Sequence, residues 1–135
     1  MPGIVAVVDN EPEITRALGM WLELRGLQTT LHLSAESLLK ILHQQDGHLT
    51  VHLETGNPVE FQLQGAVIDL ILPGINGIEL ARRLHRLAPT LHITLITALR
   101  DEERLQYGKL PPGIQCLEKP FKLNALEAAL FQSPP

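Results

Sequence analysis

Residues 66–77 read AVIDLILPGING, and this stretch decides the fold. It opens with a nearly continuous apolar run that is interrupted by a single acid, Asp69. A continuous apolar run is typical of a strand buried on both faces, as in a parallel sheet, whereas a half-exposed strand alternates. We therefore predict a buried strand over Ala66–Leu72 that carries one aspartate.

Four further apolar runs predict four more strands, at Ile4–Val8, Leu27–Leu33, Leu91–Thr97 and Ile114–Leu117. Between these runs, apolar residues recur at the 3.6-residue spacing of amphipathic helices. The apolar positions of the first three predicted helices lie within Ile14–Leu24, within Leu38–Leu42 behind a Ser34 cap, and within Leu80–Leu87 behind an Asn76 cap. Two further helices are predicted at Asp101–Tyr107 and Leu123–Leu130. Five alternations of strand and helix predict an α/β fold, a doubly wound sandwich around a five-stranded parallel sheet.

Residues 46–64 interrupt this alternation, because they are too polar for a core strand. Two alternating arms, His48–Leu53 and Val59–Leu63, flank the turn signal Thr55-Gly56-Asn57-Pro58. This pattern predicts a solvent-facing β-hairpin inserted between the second helix and the third strand. We expect one domain over residues 1–131 and a frayed tail over 132–135.

The composition excludes several classes of protein. The chain has 135 residues, 44% of them hydrophobic and 19% charged, which suits a single domain with a real core. The formal charge of −4 provides no basic excess, so we expect no nucleic-acid binding by this chain. The single cysteine, Cys116, favours a reducing, cytoplasmic compartment. We expect no membrane segment, because no apolar run approaches the ~20 residues that a bilayer requires.

Polar residues stand where the predicted strands end. Asp9, Asn10 and Glu11 follow the first strand, Asp69 lies in the third, Thr97 ends the fourth and Lys119 follows the fifth. In an open parallel sheet, sites form beyond the carboxyl ends of the strands. We therefore expect one patch that combines carboxylates, a hydroxyl and an ammonium.

Such a patch is suited to phosphoryl transfer. Clustered carboxylates repel one another, and a hard divalent cation such as Mg²⁺, which prefers oxygen ligands, relieves that repulsion. A cation held there neutralises charge on an incoming phosphoryl group, and an ionised Asp69 can attack in line to form an acyl phosphate. Lys119 supplies a mobile positive charge for phosphate oxygens, and Thr97 supplies a hydrogen-bond donor.

Four short sequence motifs resemble, in their order and spacing, those of the receiver domain of two-component response regulators. They are Asp9-Asn10-Glu11-Pro12, the stretch Asp69–Gly77, Thr97-Ala98 and Lys119-Pro120-Phe121. The resemblance covers essentially the whole chain apart from the hairpin segment. It implies a flavodoxin-like sheet with strand order 2-1-3-4-5.

The resemblance also implies a function and a set of site residues. Asp69 would accept a phosphoryl group from a phosphohistidine on a sensor histidine kinase or a phosphotransfer protein. Mg²⁺ would be bound by Asp9, Asn10, Asp69 and the Ile71 carbonyl, and Thr97 and Lys119 would sense the phosphoryl group. The face made by the fourth helix, fifth strand and fifth helix would then change its affinity for a downstream protein. Such a domain is no enzyme beyond its own phosphorylation and dephosphorylation.

Two residues depart from the family pattern. Asn10 stands where a second acid is usual, so we expect weaker Mg²⁺ binding unless Glu11 compensates. Cys116 stands at the switch position, where an aromatic ring commonly swings inward together with the hydroxyl residue. A cysteine is smaller and cannot bridge the same gap.

These departures keep an alternative open, a receiver-like interaction module that works without phosphorylation and docks through the hairpin. Metal affinity and phosphoryl uptake separate the two hypotheses. Enzymes on similar sheets fit less well. A phosphatase with an aspartyl nucleophile on the first strand needs a second aspartate where Glu11 stands. A flavin protein needs a Ser/Thr/Gly-rich phosphate loop, where this chain has Asp-Asn-Glu-Pro-Glu.

Overall fold

The computed structural model describes residues 2–55 and 57–131. Its strands are β1 (Gly3–Val8), β2 (Gln28–His32), β3 (Leu42–Gln45), β4 (His48–Thr55), β5 (Asn57–Asp69), β6 (His92–Thr97) and β7 (Gln115–Glu118). Its helices are α1 (Pro12–Leu24), α2 (Ala35–Leu39), α3 (Gly77–Leu87), α4 (Asp101–Arg104) and α5 (Leu123–Phe131), and α4 continues into a 3₁₀ turn, Leu105–Tyr107. Gly56 of the predicted turn and the predicted tail over 132–135 lie outside the described residues.

Five parallel strands lie side by side in the order β2-β1-β5-β6-β7. The registers bring their carboxyl ends to one edge, since Val8 is opposite Ile68, Asp69 is opposite Ile96, and Thr97 is opposite Glu118. The predicted α/β parallel architecture is confirmed, but a sheet of only five strands is not, because two further strands pair antiparallel beside the five parallel ones. The described residues form one sheet of seven strands.

Of the two extra strands, β4 comes from the segment predicted as a separate hairpin, and β3 directly precedes that segment. β4 pairs antiparallel with the first half of β5, from Thr50–Gln62 to Thr55–Asn57. The second arm does not end before the strand of Asp69, because β5 is one continuous strand. Leu49 and Val51 of β4 are fully buried in the main core. The segment is therefore part of the central sheet, and the prediction of a solvent-facing insertion is wrong for these buried side chains.

The second predicted helix is also shorter than expected. α2 ends at Leu39, and Leu42 begins β3, which pairs antiparallel with β4. Ile41 and Leu42 fit helical spacing and strand alternation equally well over so short a run, so the pattern alone could not separate the two. Both predicted helix caps are confirmed, because Ser34 Oγ accepts the Ser37 N–H and Asn76 Oδ1 accepts the Glu79 N–H.

β4 and β6 occupy successive parts of the same edge of β5. β1 runs along the opposite edge, while β4 faces residues 57–62 and β6 faces residues 65–69. A cavity of about 360 Å³ lies at the fork between β4 and β6, lined in part by Leu63 and Gln64. This fork is in the middle of β5, several residues before Asp69.

The core lies on both faces of the sheet. Val7 and Val67 pack with Leu18 of α1 and Leu126 of α5 on one face. Ala6 and Ile68 pack with Leu38 of α2 and residues of α3 on the other. Burial on both faces explains why β1 and the carboxyl-terminal part of β5 are apolar without alternation. No helix in the described part of the chain is long and apolar enough to cross a membrane.

Candidate functional site

Asp9 begins the site at the carboxyl end of β1. Its side chain is completely buried, and its N–H donates to the carbonyl oxygen of His32 at 3.0 Å, which extends the β1–β2 pairing by one residue. Asp9 Oδ1 accepts the N–H of Glu11 at 2.9 Å. One carboxylate oxygen is thus used to shape the loop, which leaves Oδ2 for the site.

Asp69 is the last residue of β5 and is only 5% exposed. Its Oδ1 accepts the N–H of Ile71 at 3.1 Å. Gly77, at the start of α3, donates its N–H to the Leu70 carbonyl at 2.8 Å. Gly77 packs so closely on the Asp69 carbonyl that a Cβ atom there would overlap the backbone. The glycine therefore lets α3 begin directly against the strand end that carries Asp69.

Lys119 joins the two buried carboxylates. Its Nζ donates to Asp9 Oδ2 at 3.0 Å and to Asp69 Oδ2 at 3.1 Å, and it lies 3.8 Å from Glu11 Oε1. The Lys119 N–H donates to the Thr97 carbonyl at 2.7 Å, and the Lys119–Pro120 peptide bond is cis. The ammonium therefore lies among three carboxylates, where a cation is favoured.

Burial and neighbouring charges oppose each other at this site. Burial raises the pKa of Asp69, and the nearby Asp9 raises it further, against the hydrogen bond from Lys119. Burial by itself lowers the pKa of Lys119, but hydrogen bonds to Asp9 and Asp69 outweigh it and hold the pKa above its ordinary value. Lys119 is therefore a firmly charged ammonium at neutral pH.

The described residues include one group of acids that can hold a metal ion, Asp9, Glu11 and Asp69. One carboxylate oxygen from each lies within 4.8 Å of the others. An all-oxygen donor set of this kind fits Mg²⁺. The predicted ligand Asn10 is exposed and lies between two members of the group, and the N–H of the predicted ligand Ile71 is bonded to Asp69. After β1, the second acid whose carboxylate lies near Asp69 is therefore Glu11, since position 10 is an asparagine.

The two predicted switch residues lie in different settings. Thr97 is completely buried, and its Oγ1 accepts the N–H of Leu99 at 3.1 Å. Cys116 is half-buried in the middle of β7, opposite Leu95, and packs on the core. Thr97 is tied to the site through the Lys119 backbone, whereas Cys116 lies within β7, three residues before Lys119.

Glu36 is a site residue that sequence reasoning missed. From α2, its Oε1 accepts the N–H of Ile75 at 3.0 Å, and its carboxylate packs beside Gly74, which has a φ of 72°. Glu36 thereby holds the loop that follows Asp69. The only local signal was an acid in the first turn of a helix, and nothing in the sequence pairs it with a loop 39 residues away.

Comparisons with known proteins agree with this geometry. A family model described as the response regulator receiver domain matches residues 57–131. The C4-dicarboxylate transport transcriptional regulatory protein DctD of Pseudomonas aeruginosa is 30% identical over 123 residues, which cover 90% of this chain and 23% of that protein. The response regulator receiver protein CpdR of Brucella abortus is 32% identical over 94 residues, which cover 66% of this chain and 78% of that protein.

The chain spans between 23% and 54% of the length of four transcriptional regulators that it matches. A crystal structure of a response regulator receiver protein from Sinorhizobium medicae has the same fold, with a TM-score of 0.73 at 21% identity, over 97% of this chain and 93% of that one. The family match includes the strand of Asp69 as well as Thr97 and Lys119. This chain therefore belongs to the response regulator receiver domain family.

Proposed function

We propose that the chain accepts a phosphoryl group on Asp69 from a phosphohistidine of a sensor histidine kinase or a histidine phosphotransfer protein. The receiver domain comprises residues 1–131. The observation that carries the proposal is the setting of Asp69, which faces Lys119 at 3.1 Å inside a group of three carboxylates. A lone strand-end acid with a structural role has no need of a buried ammonium and two further acids.

Each residue has a distinct part in the transfer. An Asp69 oxygen attacks phosphorus in line, the phosphorus–nitrogen bond of the donor breaks, and its electron pair returns to the imidazole. Lys119 remains charged and moves its hydrogen bond from Asp69 to a phosphoryl oxygen. The Thr97 hydroxyl turns to donate to another phosphoryl oxygen.

The acids Asp9, Glu11 and Asp69, with the side-chain oxygen of Asn10 and the Ile71 carbonyl, would hold Mg²⁺. When bound, Mg²⁺ supplies positive charge that offsets the charge of the acids and of the phosphoryl group. Lys119 shields the same acids and keeps the apo site folded. The chain itself is a cytoplasmic signalling domain, and it catalyses no reaction on a separate substrate.

The downstream partner is a protein that binds the face made by α4, β7 and α5. Phosphorylation shifts the population of this face between two conformations with different partner affinities. The order β2-β1-β5-β6-β7 supports this assignment, because it puts Thr97 and Lys119 at the ends of neighbouring strands that lead into that face.

The test is the intact mass of the protein after incubation with acetyl phosphate, with Mg²⁺ or with a chelator. We expect a Mg²⁺-dependent phosphoryl adduct in the wild type and in the control Asp46→Asn, which changes an acid in the turn between β3 and β4. Asp69→Asn should carry no adduct. An unmodified wild type at every Mg²⁺ concentration would overturn the proposal and favour an interaction module that works without phosphorylation.

A further inference from the structure

Arg104, the last residue of α4, lies across the gap between the loop after β6 and strand β7. Its Nη2 is 2.7 Å from Asp101 Oδ1 and 3.9 Å from Glu118 Oε2. Its Nε donates to the Leu99 carbonyl at 3.4 Å. The side chain is only 19% exposed although it is long and charged. A largely buried cation therefore connects the loop that follows Thr97 to the strand that precedes Lys119.

Cys116 and Glu118 lie on the same face of β7, because side chains alternate along a strand. The guanidinium of Arg104 acts on both. Burial raises the pKa of the Cys116 thiol, and the charge of Arg104 works in the opposite direction. Cys116 is too small to reach the β6 loop by itself, and Arg104 extends from α4 to make that connection.

Leu99 connects Arg104 to Thr97. Its N–H donates to Thr97 Oγ1, and its carbonyl accepts from Arg104 Nε. If the Thr97 hydroxyl turns toward a group on Asp69, Oγ1 moves away from the Leu99 N–H. Leu99 then loses one of its two hydrogen bonds, and a shift of Leu99 moves the carbonyl that accepts from Arg104.

We propose that Arg104 couples Thr97 to β7, so that the position of the Thr97 hydroxyl is transmitted through Leu99 to the guanidinium and on to Glu118 and Cys116. This inference rests on the proposed function, since a phosphoryl group on Asp69 is what moves Thr97. An arginine on α4 then performs the coupling for which the side chain of Cys116 is too short.

Cys116 is the only cysteine in the chain, so its alkylation by iodoacetamide, followed by intact mass, reports on β7 next to Arg104. The variants are Arg104→Met, Arg104→Lys and the control Arg86→Met on the exposed side of α3. The alkylation rate of each protein is measured at one pH, before and after incubation with acetyl phosphate and Mg²⁺. Each rate after incubation is compared only with the rate of the same protein before it. This removes the direct effect of the lost charge on the thiol.

We expect phosphorylation to change the alkylation rate of the wild type and of Arg86→Met by about fivefold, the lower end of typical coupling between sites. Arg104→Met should show no change in alkylation rate, although it carries the same adduct on Asp69. Arg104→Lys should show part of the wild-type change in rate. A purely structural Arg104 would alter the starting rate and leave the phosphorylation-dependent change intact. An unchanged response in Arg104→Met overturns the coupling.

A second experiment needs no phosphorylation, so it tests the Arg104 coupling separately from the proposed phosphorylation of Asp69. Thr97→Val keeps the shape of the side chain and removes the acceptor of the Leu99 N–H. We expect it to change the Cys116 alkylation rate in the wild type and to have no effect in the Arg104→Met background. Equal effects in both backgrounds overturn the coupling. If no adduct forms on the wild type, the proposed function fails, and this experiment still decides whether Arg104 couples Thr97 to β7.

Discussion

The ammonium of Lys119 lies 3.1 Å from Asp69 Oδ2 and 3.0 Å from Asp9 Oδ2, so one cation compensates two buried carboxylates. The two acids end neighbouring strands, β5 and β1, whose parallel register brings them together. Lys119 arrives from the segment after β7, on the far side of β6. Its charge therefore stabilises this edge of the sheet, where two buried carboxylates meet.

Lys119→Met should lower the free energy of unfolding of the apo protein by ~3 kcal/mol, because removing one partner of a buried ion pair leaves uncompensated charge. Mg²⁺ should raise the Tm of this variant more than that of the wild type, since no ammonium competes for the acids. Thermal denaturation with and without Mg²⁺ measures both effects. Lys122→Met, an exposed lysine nearby, is the control, and an equal loss in the two variants contradicts the expectation.

Asn10→Asp should tighten Mg²⁺ binding by about tenfold. A unit charge about 5 Å from a divalent ion contributes roughly 1.5 kcal/mol even at the dielectric constant of water. Calorimetric titration with Mg²⁺ measures the affinity. Asn124→Asp, at an exposed position of α5, adds the same net charge away from the site and should change the affinity little. Equal gains in the two variants would mean that Asn10 is not directed at the ion.

Thr94→Val should stabilise the protein. Among the buried side-chain polar atoms of the described residues, Thr94 Oγ1 alone has no hydrogen-bond partner. Valine has the same shape and removes that unsatisfied hydroxyl, so the free energy of unfolding should rise by about 1 kcal/mol in a denaturant titration. The contrast is Thr30→Val, which removes a hydroxyl 2.8 Å from His32 Nε2 and should destabilise. A loss of stability in Thr94→Val would show that the hydroxyl is satisfied.

His32 should make the protein sensitive to acid. Its ring lies between Thr30 Oγ1 at 2.8 Å and Ser37 Oγ at 2.7 Å, and burial lowers its pKa from 6.5 to about 4. Between these pH values the unfolded chain binds a proton that the native chain does not. Stability therefore falls as the pH falls below 6.5, by about 3 kcal/mol once pH 4 is passed.

Denaturant titrations across this pH range, on the wild type and on His32→Gln, test this expectation. The difference between the two isolates the histidine from the acids that titrate in the same range. His52→Gln, at an exposed position of β4, should follow the wild type. If His32→Gln keeps the full slope between pH 6.5 and pH 4, the buried imidazole is not its source.

The parallel part of the fold could be read from the sequence because burial on both faces leaves an unmistakable apolar run. The runs at Ile4–Val8 and Ala66–Leu72 both lie largely within strands, β1 and β5. Only some strands of the antiparallel part could be predicted from the sequence. That Leu42 begins a strand and that β5 is continuous depend on pairing with β4, which is a tertiary contact and not a local preference.

In the candidate site, too, some residues could be predicted from the sequence and others depend on tertiary contacts. Asp9, Asp69 and Lys119 meet because the ends of parallel strands meet, and the order of the motifs along the chain was enough to expect that. Glu36 accepts a hydrogen bond from the backbone of a loop 39 residues away, at Ile75, and Arg104 donates one to the backbone of the loop just before α4, at Leu99. Any exposed acid or arginine at the start or end of a short helix has the same local pattern, so no sequence signal separates them. The chemical roles of the site residues stay predictions until the adduct is measured.

The neighbours of β5 lie at very different distances along the chain. Its amino-terminal half pairs with the strand just before it, as Thr55 pairs with Asn57, whereas Gly3 pairs with Gln62. Closing a short loop costs less entropy than closing a long one, and hairpins form within microseconds. We expect the antiparallel pairing of β3, β4 and β5 to form first during folding. The strand that carries Asp69 is then ordered from its far end, and the acidic site is assembled last, when β1 and β6 dock against a strand that is already in place.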